Sequence, residues 1–80
     1  MPEALATKQK VTGLKQTRRA ILAGRARRVY LACDADPALT EPVRALCRER
    51  DIPVTEGCTL RQLGRAAGID VGTAAAALLA

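Results

Sequence analysis

Eighty residues make one domain, with room for one modest core. There is no histidine and a single aromatic residue, Tyr30. The commonest acid–base group and metal ligand is therefore missing, and the single aromatic argues against RNA recognition by bases stacked on a sheet. The formal charge of +5 is unevenly placed. Ala4 to Cys33 carries eight Lys/Arg and no acid, whereas Asp34 to Ala80 carries five Arg against seven Asp/Glu. A one-sided basic domain points to nucleic acid, with a solvated basic face as the plain alternative.

The start, MPEALATKQKV, has no apolar run of signal-peptide type, and no stretch is long enough to span a bilayer. Ala4–Lys8 reads as a short or frayed helix, and Lys10–Thr12 as a short strand. Gly13 then opens a helix that stops near Gly24, with Leu14, Thr17, Ala20 and Ile21 toward the core. Lys15, Arg18 and Arg19 face outward. The segment GLKQTRR joins a glycine to a run of cationic and amide donors at a helix start, which suits phosphate and purine edges.

Arg28–Cys33 is an apolar run of strand length, and so is expected at the centre of a sheet covered on both faces. Asp34-Ala35-Asp36-Pro37 ends it in a turn. Thr40 is expected to cap the next helix, with Pro42 in its first turn. Leu39, Val43, Leu46 and Cys47 would form the apolar stripe of that helix. Ile52–Thr55 reads as a strand parallel to the first, with Pro53 at its start or on an edge. Thr59 caps a helix with Leu60, Leu63, Ala66 and Ala67, which ends at Gly68. The tail TAAAALLA is a helix by propensity and a buried strand of small residues by context. The three cysteines lack CxxC spacing, and Cys33 and Cys47 sit at apolar-periodic positions. Buried reduced thiols and a cytoplasmic protein are expected.

Three segments, GLKQTRRAILAG, RVYLACDADPALTEPVRALC and LRQLGRAAGIDVGTAAAALL, occur in an order that resembles one family. It is the L-seven-Ae / L-thirty-e family of ribosomal proteins, which bind kink-turn RNA, and the chain is most similar to its small bacterial YbxF-like branch. The shared motifs are a G-x-[NK]-[EQ]-x-x-[KR] helix start, a strand followed by D-A-D-P, and an L-G-x-A-x-G-I-x-V loop. The resemblance implies a single α/β domain over residues 1–80, a three-layer α/β/α sandwich with a small mixed four-stranded sheet. It tips the tail, Thr73–Leu79, to a strand.

The resemblance also implies that the helix start enters the RNA groove beside tandem G·A pairs. Gly13 and Leu14 would let the backbone approach. Lys15 and Gln16 would meet guanine edges, and Arg18 and Arg19 the same site or phosphates. Asp36, Thr40, Ile69, Val71 and Ala74 would surround a flipped-out bulge nucleotide, with the Ile69–Thr73 loop closing over it. Relatives outside bacteria usually carry Asn-Glu where Lys15-Gln16 stands here, and some carry a basic residue at the position of Leu60. The implied partner is a kink-turn in ribosomal RNA, a riboswitch or another noncoding RNA, and a monomer suffices to bind it. No catalytic residue, metal site or cofactor is expected, because Asp34 and Asp36 lack a nucleophile–base pair or a ligand cluster beside them. Two rival readings use the same residues. One is a protein-interaction module on this fold. The other is a helix-turn-helix with Val71–Ala80 as recognition helix, which would offer base edges almost nothing but alanine and leucine.

Overall fold

The computed structural model describes residues 9–69 and 71–79. The expected helix at Ala4–Lys8 lies outside them. The elements are β1 (Lys10–Thr12), α1 (Leu14–Leu22), β2 (Ala26–Ala32), α2 (Pro37–Glu49), β3 (Val54–Cys58), α3 (Leu60–Ala66) and β4 (Ala75–Leu79). The sheet order is β1-β4-β2-β3. β2 and β3 are parallel, and β4 runs antiparallel to both β1 and β2. The fold is the expected α/β/α sandwich on a mixed four-stranded sheet.

Alternation along the two inner strands builds the layers. Val29 and Leu31 of β2 and Ala75 and Ala77 of β4 face α1 and α2, where Ile21, Val43 and Cys47 complete one core cluster. Tyr30, Ala32, Ala76 and Leu78 point the other way and meet Leu63 of α3. Both faces of β4 are therefore buried, which explains a strand built from the best helix formers. Small side chains let helices approach a central strand closely, and the unpaired edges of β1 and β2 need a partner. Tertiary context overrides propensity here. The recognition helix of the helix-turn-helix reading does not exist, because Ala75–Leu79 is an inner strand.

Two irregularities shape β2. Arg27 is an extra residue between the Ala26–Leu79 and Arg28–Leu78 pairs. On the other side β3 has an extra residue between its pairs with Tyr30 and Ala32, where Gly57 takes φ 115°. Cys33 is exposed, contrary to expectation, because it falls just past the last residue of the strand. Cys47 is buried as expected, and burial pushes its thiol up.

The start of α2 also differs from expectation. Asp36 is the N-cap and accepts from the Ala38 N–H at 2.9 Å, with Pro37 in the first helical position. A carboxylate followed by proline outcompetes Thr40 as the cap. Thr40 consequently lies inside the helix, 3% exposed, and Pro42 is a helix-interior residue. The buried stripe is Thr40, Val43 and Cys47. Leu39 sits about 100° round from Thr40 and is exposed. β3 begins two residues later than expected, after Pro53, whose carbonyl accepts from Val29 N–H at 3.0 Å. Proline can serve the ladder only as an acceptor. Thr59 caps α3 as expected, in a reciprocal box with Gln62.

α3 lies directly on the loop that enters β4. A Cβ at Gly64 would collide with the carbonyl oxygen of Val71. Gly64→Ala should therefore destabilise the domain by about 1–3 kcal/mol, as overpacking against backbone does. Urea unfolding followed by circular dichroism checks it; an unchanged midpoint would show that the loop yields freely.

Candidate nucleic-acid interface

Backbone hydrogen bonds gather three chain segments at one end of the sheet. The Gly13 N–H donates to the Ala75 carbonyl at 2.8 Å, and the Ala32 N–H donates to the Ala74 carbonyl at 2.9 Å. The entry to β4 thus holds both the start of α1 and the end of β2. The Leu60 N–H donates to Asp34 Oδ1 at 2.7 Å, tying α3 to the turn after β2. The Thr73 N–H donates to the Leu60 carbonyl at 3.1 Å, which closes loop 68–74 onto α3. Gly72 fits there because it has no Cβ, which would stand 3.2 Å from Leu60 backbone and Cβ atoms.

The three helix starts in this structure are unequal. α2 is capped by Asp36. α3 is capped by Thr59, and Asp34 takes a further N–H of its first turn. No side chain caps α1, and its first turn contains no acid. The first-turn N–H groups and the positive end of the helix dipole are thus left to solvent or to a ligand. Gly13 enters α1 at φ 94° and ψ 152°, a conformation open essentially to glycine alone. No atom lies within 4 Å of where its Cβ would be, so the surface beside it is open.

Lys15, Gln16, Arg18 and Arg19 are all exposed on α1, while Thr17, Ala20 and Ile21 anchor the other side. Leu14 is half-buried against the α1–α2 core. Gln16 and Arg19 share a shallow groove of about 180 Å³ with Val11, Ala20, Ala23, Arg25 and Leu79. Across the β4 entry, Val71 is 70% exposed, whereas Ile69 and Ala74 are half-buried. Asp36 is exposed at the α2 cap. Thr40 does not reach this surface; it packs inward from the first turns of α2. Gly13, the α1 cations, Asp36 and Val71 therefore stand on segments joined by hydrogen bonds, with Thr40 as an underlying support.

Residue order alone gives Asp34 no role beyond the turn. Its structural use is to join two loops of the interface. The signal lies in the pair of acids before Pro37, since one helix start needs only one of them. Among the described residues no group of His, Cys, Asp and Glu could hold a metal ion, and no helix is long and apolar enough to cross a membrane.

Comparison with known proteins matches residues 1–80 to the family described as "Ribosomal protein L7Ae/L30e/S12e/Gadd45 family". The chain is 45% identical over 69 residues to the RNA-binding protein YbxF of Geobacillus stearothermophilus, covering 86% of this chain and 84% of the relative. Among solved structures, a Giardia lamblia 15.5kD RNA binding protein superposes with a TM-score of 0.87 at 23% identity. That match covers 96% of this chain and 65% of the Giardia chain, so the present chain spans just under two thirds of that protein. A protein of unknown function from Bacillus halodurans gives a TM-score of 0.83 at 27% identity, covering 94% of this chain and 75% of the other.

Gly13→Ala should cost about 1–3 kcal/mol, because alanine must adopt the strained backbone that enters α1. Thermal unfolding measures it. A variant as stable as the parent would mean that α1 can start by another route and that the tether to Ala75 is dispensable.

Proposed function

We propose kink-turn RNA binding as the function of this chain, which belongs to the ribosomal protein L7Ae/L30e/S12e/Gadd45 family. RNA binding is the part that the similarity to YbxF supports directly. The kink-turn is the finer reading, and the uncapped start of α1 carries it. The open N–H groups, the bare Gly13 surface and the exposed Lys15, Gln16 and Arg19 put donors of several kinds at one helix end. Sheared G·A pairs offer guanine edges and phosphates close together, and a helix end of this kind suits both.

The roles divide by chemistry. Gln16 has an amide that both donates and accepts, so it reads a base edge. Lys15 is a point charge that favours phosphate, with a smaller share in the edge. Arg19, one turn later, reaches the same edge or a phosphate as a planar fork. Arg18 adds charge at the margin. The exposed Val71 supplies an apolar contact for an unstacked base, beside Ile69 and Ala74. Asp36 holds the α2 start next to them. One copy of the chain carries every group used here.

A gel shift with a kink-turn RNA, set against the same RNA with its G·A pairs disrupted, tests the reading. Strong preference for the intact motif is expected, and equal affinity for a straight duplex of the same length would sink it. Gln16→Ala should cost on the order of 1–3 kcal/mol of that preference. Lys15→Ala should instead weaken binding on every RNA and flatten the salt dependence. Two substitutions that lower affinity equally on all RNAs would remove the edge-reading role of Gln16.

A further inference from the structure

Ala26 and Val29 both pack toward the α1–α2 layer, although they are three positions apart in β2. Strict alternation would put them on opposite faces. The extra residue at Arg27 resolves the conflict, and Arg27 and Arg28 both leave the sheet on the α3 side. Both are exposed there, at the end where β2 begins, on sheet that α3 does not cover. We propose that Arg27 and Arg28 bind the phosphates of a second RNA segment, so that one copy of the chain joins two RNA segments through separate surfaces. The inference rests on the RNA reading above, and its surface shares no residue with the start of α1 or with loop 68–74.

The geometry of this patch suits phosphate. Arg28 Nη1 donates to Thr55 Oγ1 at 3.1 Å. The hydroxyl orients the guanidinium across β3 without neutralising it, whereas Arg44 is held by two carboxylates. A planar fork held this way offers its other N–H groups in a fixed direction. Leu78 pairs with Lys10 on one side and with Arg28 on the other, so Lys10 stands in the same cross-strand row. Two strand spacings separate Lys10 from Arg28, about 10 Å. Cations thus recur across the width of three strands.

The fold keeps carboxylates off this face. Glu56 is the only acid in the described strands, and it turns to the other face, toward Arg44 of α2. α3 contains no acid. Among the described residues, the strands and the helix on this side therefore supply positive charge alone, which suits an anionic polymer. The row offers almost no apolar area, since its one apolar side chain, Leu78, is 6% exposed. A protein partner needs an apolar centre to its interface, whereas phosphate contacts need charge. The two surfaces are also separate in space. Gly13 is tied to Ala75 at the start of β4, and Arg28 pairs with Leu78 near its end. α1 packs on the opposite face of the sheet. An RNA seated on the start of α1 leaves the arginines open.

The test uses two probes. A kink-turn RNA with short arms first saturates the α1 surface. A labelled blunt RNA duplex without G·A pairs is then titrated into that complex over a salt series. The parent should take up the duplex as a ternary complex, more weakly than it holds the kink-turn. In the double variant R27Q/R28Q the duplex affinity should fall. The slope of log affinity against log salt should become shallower by roughly 1–2, at about 0.7–0.9 for each phosphate no longer neutralised. Kink-turn affinity and thermal unfolding should stay unchanged, because both arginines are exposed and stand apart from the start of α1. R27K/R28K keeps the charges and should restore most of the slope. Failure of the parent to form the ternary complex overturns the proposal, as does a duplex slope that R27Q/R28Q leaves unchanged. An equal loss on both probes would place the arginines in the first surface and also overturn it. Binding of polyglutamate that R27Q/R28Q abolishes, with duplex binding intact, would assign the patch to an acidic protein instead. If the parent ignores the G·A pairs, the kink-turn reading fails, while the duplex slope of the free protein still reports on Arg27 and Arg28.

Discussion

The structure depends on one constraint, the insertion of β4 between β1 and β2. The pairing of β4 with β1 and β2 unites residues 44 to 68 positions apart in the chain. Its first residues have a second use. The Ala74 and Ala75 carbonyls receive the last N–H of β2 and the N–H of Gly13. Adjacent main-chain carbonyls therefore close the sheet and aim the start of α1. Stability and the shape of the binding end cannot be varied independently at this point. A residue larger than alanine at 75–77 would push a helix off one face or the other.

Charge follows a comparable division. The acidic residues near the binding end serve the fold: Asp34 holds α3, and Asp36 caps α2. Glu56 engages Arg44 and fastens β3 to α2, while Glu41 holds the same arginine from within α2. The cations of α1 have no such partners among the described residues. Exposed ion pairs contribute little to stability, so leaving these cations unpaired costs the fold little. It keeps a positive field at that end of the molecule.

Much of this is legible in residue order. The capping box of Thr59 and Gln62, the apolar VYLA core of β2 and the glycine before LKQTRR each have a local cause, and each appears where expected. The rest is decided by competition or by distance. Asp36 and Thr40 are both good caps, and only the position of Pro37 favours the first. Leu39 satisfies a helical period but lies on the outer edge of the stripe that Thr40, Val43 and Cys47 define. Cys33 belongs to an apolar run, yet its cover depends on a helix that begins elsewhere. Arg27 and Arg28 read as residues of opposite faces, because the shift that puts both on one face is set by pairing with a strand far along the chain. For β4, local preference points to helix, and the need to bury both faces of β2 decides against it.

Placing the last strand at the heart of the sheet also sets the timing of assembly. Until β4 is in place, β1 has no neighbour, and Gly13 lacks the carbonyl that fixes its N–H. The parallel pair of β2 and β3 is then the whole of the sheet, and such non-local pairings form slowly. Sheet closure and the fixed start of α1 appear together, only once β4 has joined. A chain that lacks β4 thus carries its basic residues without the contact that fixes the start of α1.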